Sequence, residues 1–216
     1  MKKTLYSLML SDDVVREIDR LAHQRGTNRS ALVNEILAEY AQLVTPEGRI
    51  YEIFRQIGEI LGSDRELVPF VAPNAMTMSM KSSLQYRYRP TVKYSVELYR
   101  DGNGTLGELS VVFRTQSAAL LAAMEQFFRL WKQVEDELIA DYLPRPAEYA
   151  LYGGRFTRTI APDVRRDYST EDIARAISAY VRLFDRLMKA YLGGELSAQN
   201  LRREYLAWLQ KGNTIL

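Results

Sequence analysis

The sequence predicts an α+β protein of two parts: a strand-helix-helix module over residues 1–45, and an α+β domain over residues 46–216 with a small antiparallel sheet covered by long helices. Three observations predict it. A short alternating segment leads at once into two short amphipathic helices. From Met76 the apolar period changes from helical to two, and from Ser117 a long helical pattern returns.

In chain order, Lys3 to Leu10 reads as a strand, with Tyr6, Leu8 and Leu10 on one face and Leu5, Ser7 and Met9 on the other. Ser11 is placed to cap a first helix, and Asp12 and Asp13 put negative charge at its positive end. Val14, Val15, Ile18, Leu21 and Ala22 recur at helical spacing up to Gly26, the left-handed residue that ends the helix. Asn28 then caps a second helix with the apolar stripe Leu32, Val33, Ile36, Leu37 and Tyr40. A unit this small cannot bury those stripes by itself, so it needs a partner chain.

These residues resemble the ribbon-helix-helix DNA-binding family of the CopG, Arc and MetJ type, over roughly residues 3–43. The most specific parts are Leu10-Ser11 at the strand-helix junction and Gly26-Thr-Asn-Arg-Ser30 between the helices. The resemblance implies that two chains pair their strands into an antiparallel ribbon entering the major groove, while the start of the second helix holds a phosphate. Carried over by position, the groove-facing residues are Lys3, Leu5, Ser7 and Met9, and the phosphate clamp is Asn28, Arg29 and Ser30. Physical chemistry supports the clamp separately: free N–H groups and the dipole at a helix N-terminus attract an anion, and Arg29 adds a full charge. The groove face departs from the family's habit of polar residues, because Leu5 and Met9 offer base edges only apolar contact, such as to a thymine methyl. Six basic and six acidic side chains in residues 1–45 leave that module without a bulk positive charge.

Thr45-Pro46 opens a third helix, with Thr45 as cap and Pro46 at the first helical position, running through Ile50, Ile53, Phe54, Ile57 and Leu61 to Gly62. Ser63-Asp-Arg-Glu66 has capping-box spacing and predicts one more short turn, ended by Pro69 and Pro73. Alternating runs at Met76–Met80, Leu84–Tyr88, Val92–Leu98 and Leu109–Phe113 predict three or four antiparallel strands, with Asp101-Gly-Asn-Gly104 as a hairpin turn. A helix over Ser117–Tyr142 covers the sheet. Tyr149, Leu151, Phe156 and Ile160 suggest a further hairpin around Gly153-Gly154. Ser169 and Ser197 start the last two helices, which stop near Gly193 and Gly212.

Composition narrows the function classes. The formal charge of +2 argues against a broad polyanion-binding surface and leaves room for a local one. With no cysteine there are neither disulfides nor thiolate metal sites, which fits a reducing, cytoplasmic setting. No leader-like opening and no apolar run near the length of about 20 residues that spans a membrane are evident. His23, the only histidine, falls beside the apolar face of the first helix and reads as a surface residue. Nickel-responsive members of the family use histidine and cysteine in their second domain, and residues 46–216 hold neither, so no metal or other cofactor is expected. Without a phosphate-binding glycine motif, a nucleophile elbow or a histidine base in that domain, no enzyme is expected either.

Within residues 46–216 the stretch Gln85-Tyr-Arg-Tyr-Arg-Pro-Thr-Val-Lys-Tyr94 interleaves bases and aromatics. Arg87, Arg89 and Lys93 form a candidate anion or ligand patch, against which stands the plainer reading of a half-buried strand with a solvated basic face. Arg155, Arg158, Arg165 and Arg166 make a second basic group, Met76, Met78 and Met80 read as core, and Glu135, Asp136 and Glu137 read as the solvated face of the long helix. The expectation is a homodimer or higher even oligomer that binds double-stranded DNA as a bacterial-type transcriptional regulator, with the second domain setting assembly or meeting an effector or protein partner. The competing expectation is an interaction protein whose first module only dimerises.

Overall fold

The structure, a computed structural model, describes residues 4–41, 43–62, 66–71, 76–84, 90–100, 104–143, 146–163 and 165–215. Lys3, Arg87 and Arg89, the turn at 101–103 and the start of the capping-box stretch at 63–65 lie outside them. The chain divides into two compact units, Met1–Arg49 and Ile50–Leu216.

In the first unit α1 (Asp12–Gln24) and α2 (Arg29–Tyr40) contact each other. Ser11 is the N-cap of α1, yet its hydroxyl makes no cap bond, contrary to expectation. The first turn is closed by the Ser11 carbonyl, which accepts from Val15 N at 3.0 Å, with Asp12 and Asp13 supplying the charge that suits the dipole. Asn28 does cap α2, its side chain accepting from Ala31 N at 2.9 Å. Gly26 joins the helices at φ 62°, a conformation that carries little penalty only without a Cβ.

This unit has almost no core of its own. Ala22 and Leu32 are its buried hydrophobics, whereas Leu5 is 97% exposed, Met9 102% and Tyr40 90%, and Tyr6, Leu8, Leu10, Val14, Ile36 and Leu37 are exposed with them. Among the described residues, 4–10 form no strand in the single chain.

The second unit begins in the first turn of α3 (Pro46–Leu61), where Thr45 Oγ1 accepts from Gly48 N at 3.0 Å as the expected cap. Next comes β1 (Leu67–Val71), a strand where a helical turn is predicted. Pro69 is compatible with it because β1 lies at the edge of the sheet, where a missing N–H breaks no ladder on the open side. β2 (Thr77–Ser83), β3 (Thr91–Leu98) and β4 (Gly107–Phe113) follow as an antiparallel meander. After α4 (Ala118–Leu138), the hairpin β5 (Tyr149–Tyr152) and β6 (Arg155–Ile160) joins the same sheet through β6. The result is one sheet of six strands in the order β1-β2-β3-β4-β6-β5, in which the strands expected between Met76 and Phe113 are joined by the hairpin expected around Gly153-Gly154 and by the unexpected β1. At Gly107 a Cβ would fall against the Glu97 carbonyl oxygen, so the β3–β4 pairing there requires glycine.

Side chains alternate across a sheet, so Met78, Met80, Tyr94, Val96, Leu109, Val111 and Phe156 share one face, and all are buried. That face packs on α4 and on α5 (Thr170–Leu192), where Phe128 meets Phe156 at 5.5 Å and Phe184 meets Tyr94 at 6.2 Å between ring centroids. Ser169 opens α5 with a full capping box to Asp172. The last helix, α6 (Ala198–Gln210), brings Tyr205 edge-on to Trp131 of α4 at 5.3 Å. α4 stops at Leu138, short of the predicted Tyr142.

Candidate nucleic-acid interface

Asn28, Arg29 and Ser30 are brought together at the start of α2. The N–H groups of Arg29 and Ser30, at the first two helical positions, have no intrahelical acceptor, and the Asn28 side chain already occupies the N–H of Ala31. Arg29 is engaged as well. Its Nε donates to Asp19 Oδ1 at 2.7 Å and its Nη2 to Asp19 Oδ2, a two-pronged pair from α2 to α1. The Arg29 hydrogen bond holds the Asp19 carboxyl below its usual range, and the same bond raises the guanidinium's own pKa. Both side chains are about half exposed, so the pair is screened and a phosphate can compete with Asp19 for the same fork. Arg25 and Glu35, 3.5 Å apart, are the second ion pair between these helices.

Of the groove-facing residues implied by the family resemblance, Leu5, Ser7 and Met9 are exposed, and Lys3 lies outside the described residues. His23 is exposed, at the end of α1.

In the second unit, Lys93 sits on β3 directly opposite Lys81 of β2, on the face away from the helices. Arg87 and Arg89, the other members of that candidate patch, fall outside the described residues. In the group at 155–166, Arg165 and Arg166 are exposed and lie 2.9 Å and 4.0 Å from the same carboxylate, Asp163, whereas Arg158 is buried at 1% exposure. The Arg158 Nε donates to Glu135 Oε2 at 3.0 Å, and Tyr205 OH donates to Glu135 Oε1 at 2.7 Å. Glu135, expected on a solvated helix face with Asp136 and Glu137, is therefore in the core, fully enclosed. Burial by itself would lower the Arg158 pKa, but the Glu135 charge outweighs it and holds the guanidinium above its ordinary value. Arg158 also lies 4.8 Å from the Tyr180 ring centroid.

Sequence reasoning missed this pair although its signal was present. Arg158 alternates with Phe156 and Ile160 on β6, which places it on the core face. Glu135 lies four residues after Trp131 and seven after Phe128, within the apolar stripe of α4. A second internal relay runs from Tyr94 OH to Asp185 at 2.8 Å, and from Asp185 to Lys189 at 2.7 Å. Burial, then the adjacent Asp185 charge, pushes the Tyr94 hydroxyl well up. Both constellations tie helices to the sheet; the Glu135–Arg158 pair is enclosed, while the other relay reaches the surface at Lys189, which also meets the exposed Glu66 at 2.6 Å.

Among the described residues no group of three or more histidine, cysteine or acidic side chains is placed to hold a metal, and no helix is long and apolar enough to cross a membrane. No protein-family model, curated protein or solved structure matches this chain.

Proposed function

We propose that the protein is a dimeric, sequence-specific DNA-binding protein, a transcriptional regulator in which residues 3–10 of two chains pair as an antiparallel ribbon in the major groove. The observation that carries this reading is the apolar surface of the first unit, where Leu5, Tyr6, Leu8, Leu10, Val14, Ile36 and Leu37 are all exposed, from 40% to 97%. Each such side chain gains about 1.5–3 kcal/mol on full burial, and a second copy pairing along residues 3–10 and along α2 covers them together. The start of α2 then lies on a backbone phosphate, which meets the open N–H groups of Arg29 and Ser30 and takes the Arg29 fork from Asp19.

A second reading has its own support. Arg29 is already paired, and Leu5 and Met9 are apolar, so the same module suits an interaction protein that uses it only to dimerise. Two substitutions separate the readings. At a true groove face Met9→Lys raises non-specific DNA affinity and Ser7→Ala shifts sequence preference by about 1 kcal/mol for one base contact, both with the dimer intact. For a pure clasp, neither change moves DNA binding, and Met9→Lys instead weakens a protein contact.

A further inference from the structure

The face of the sheet turned away from the helices carries a charge pattern that the first unit's assembly does not explain. Register places Lys81 opposite Lys93 and Glu97 opposite Glu108, like beside like in both cases. Like charges directly opposite one another are unfavourable in an isolated sheet, and alternating them would have removed the penalty. Between the two bands runs a row of small residues across four neighbouring strands, Ser79, Ser95, Ser110 and Thr157. Ser79 and Ser95 bond each other at 3.1 Å, while Ser110 Oγ, buried, has no hydrogen-bond partner among the described residues.

We infer that this face packs against the same face of a second copy, related by a two-fold axis along the serine row. Such a rotation keeps each strand over its own counterpart and exchanges the two bands, so that Lys93 of one chain faces Glu97 of the other and the reverse. Lys93 and Glu97 are four residues apart on β3, about 14 Å, with Ser95 midway, so the axis passes between the bands. Any two-fold along the strands would instead set lysine on lysine. The serine row carries no bulky side chain, which lets the two sheets approach to about the ordinary 10 Å. Both lysines also interact within their own chain, and the pairing draws on the opposite charges that face each other across the axis rather than on a vacant partner.

Six strands at about 4.8 Å spacing and about 20 Å of length give a face on the order of 600 Å² per chain, or about 1,200 Å² in all. That is the lower end for a stable interface, so the association is concentration-dependent and, being built on charge, weakens with salt. The inference uses only the second unit and does not depend on DNA binding.

The test is the mass of the full-length protein by sedimentation equilibrium over a concentration series. Lys93→Glu or Glu97→Lys should raise the dissociation constant of this step by roughly tenfold or more. The combined Lys93→Glu, Glu97→Lys exchange should restore it, because position 93 of each chain still faces the opposite charge at position 97 of the other. Lys93→Glu also sets opposite charges across from Lys81, and its far-UV circular dichroism should match the parent's, so dissociation cannot be put down to unfolding. Ser95→Arg, which props the faces apart, is the second variant and should lose the same step. Each variant is also made in a Leu8→Asp background. There the sheet-face pair persists as two chains and Lys93→Glu reduces it to one, whether or not the first unit dimerises. A mass unmoved by Lys93→Glu and by Ser95→Arg overturns the inference, as does failure of the exchange to restore association. Loss of nucleic-acid binding by Lys93→Glu with no change of mass would assign the face to nucleic acid instead.

Discussion

Replacing Arg158 by methionine removes the guanidinium that faces Glu135 while keeping an apolar stem in its place. In the parent the two groups are 1% and 0% exposed and meet at 3.0 Å, and the carboxylate's other oxygen accepts from Tyr205. The variant leaves an enclosed carboxylate with one hydroxyl donor. One-sided loss of a buried ion pair destabilises by about 3–5 kcal/mol, a large part of the 5–15 kcal/mol typical of a domain. Replacing both partners, Glu135→Leu with Arg158→Met, leaves no buried charge and should destabilise far less than the sum of the single changes, giving a coupling of about 2 kcal/mol or more. Urea denaturation at fixed protein concentration reads this out. Trp131 reports on the same region, since it is fully buried and its Nε1 donates to Tyr180 OH at 2.8 Å. A loss below about 1 kcal/mol for Arg158→Met, or additivity of the two single changes, would refute the reasoning.

Two other predictions concern assembly and titration. Ile36→Asp, on the uncovered side of α2, should abolish pairing of the first unit at micromolar concentration, because the partner would bury an unpaired charge; a variant that still pairs there contradicts the assignment. The Asp163 carboxyl, held at about 2 chiefly by its bond from the Arg165 side chain, has a depressed folded-state pKa. Its contribution to stability is therefore present above the ordinary carboxylate range and lost as pH falls through about 2. Arg165→Ala should return the carboxyl toward about 3.9, read by NMR titration, and an unchanged midpoint would count against the pair.

The helices were legible from the sequence because their signals are local. Asn28, Thr45, Ser117, Ser169 and Ser197 each cap the helix that follows, and the apolar stripes have the right period. The central strands β2 to β4 were legible for the same reason. β1 was hidden because capping-box spacing before it and Pro69 within it both read as helix punctuation, and only its place at the sheet edge makes Pro69 acceptable. The sheet's full width depended on β6 pairing with β4 across the whole of α4, a contact no local pattern encodes. The charged residues were the hardest to place. Arg158 and Glu135 stand at core positions by period, but their charge reads as solvated, and only the pairing of β6 with α4 across the fold supplies each with the partner that lets it be buried. The Asp19 partner of Arg29 lies ten residues away on a different helix, so the engagement of the anticipated clamp followed from packing and not from spacing.

The proposed binding of DNA by the paired first unit, through the start of α2, is open to a single experiment. Fluorescence anisotropy of the full-length protein on DNA fragments from its own upstream region, repeated over a salt series, tests it most directly. Expected are binding tighter than to unrelated DNA, a linear fall of log affinity with log salt, and a slope reduced by about one for Arg29→Ala, with affinity lowered about equally on all sequences. No salt-dependent binding by the parent, or an Arg29→Ala variant with unchanged slope and affinity, would contradict it.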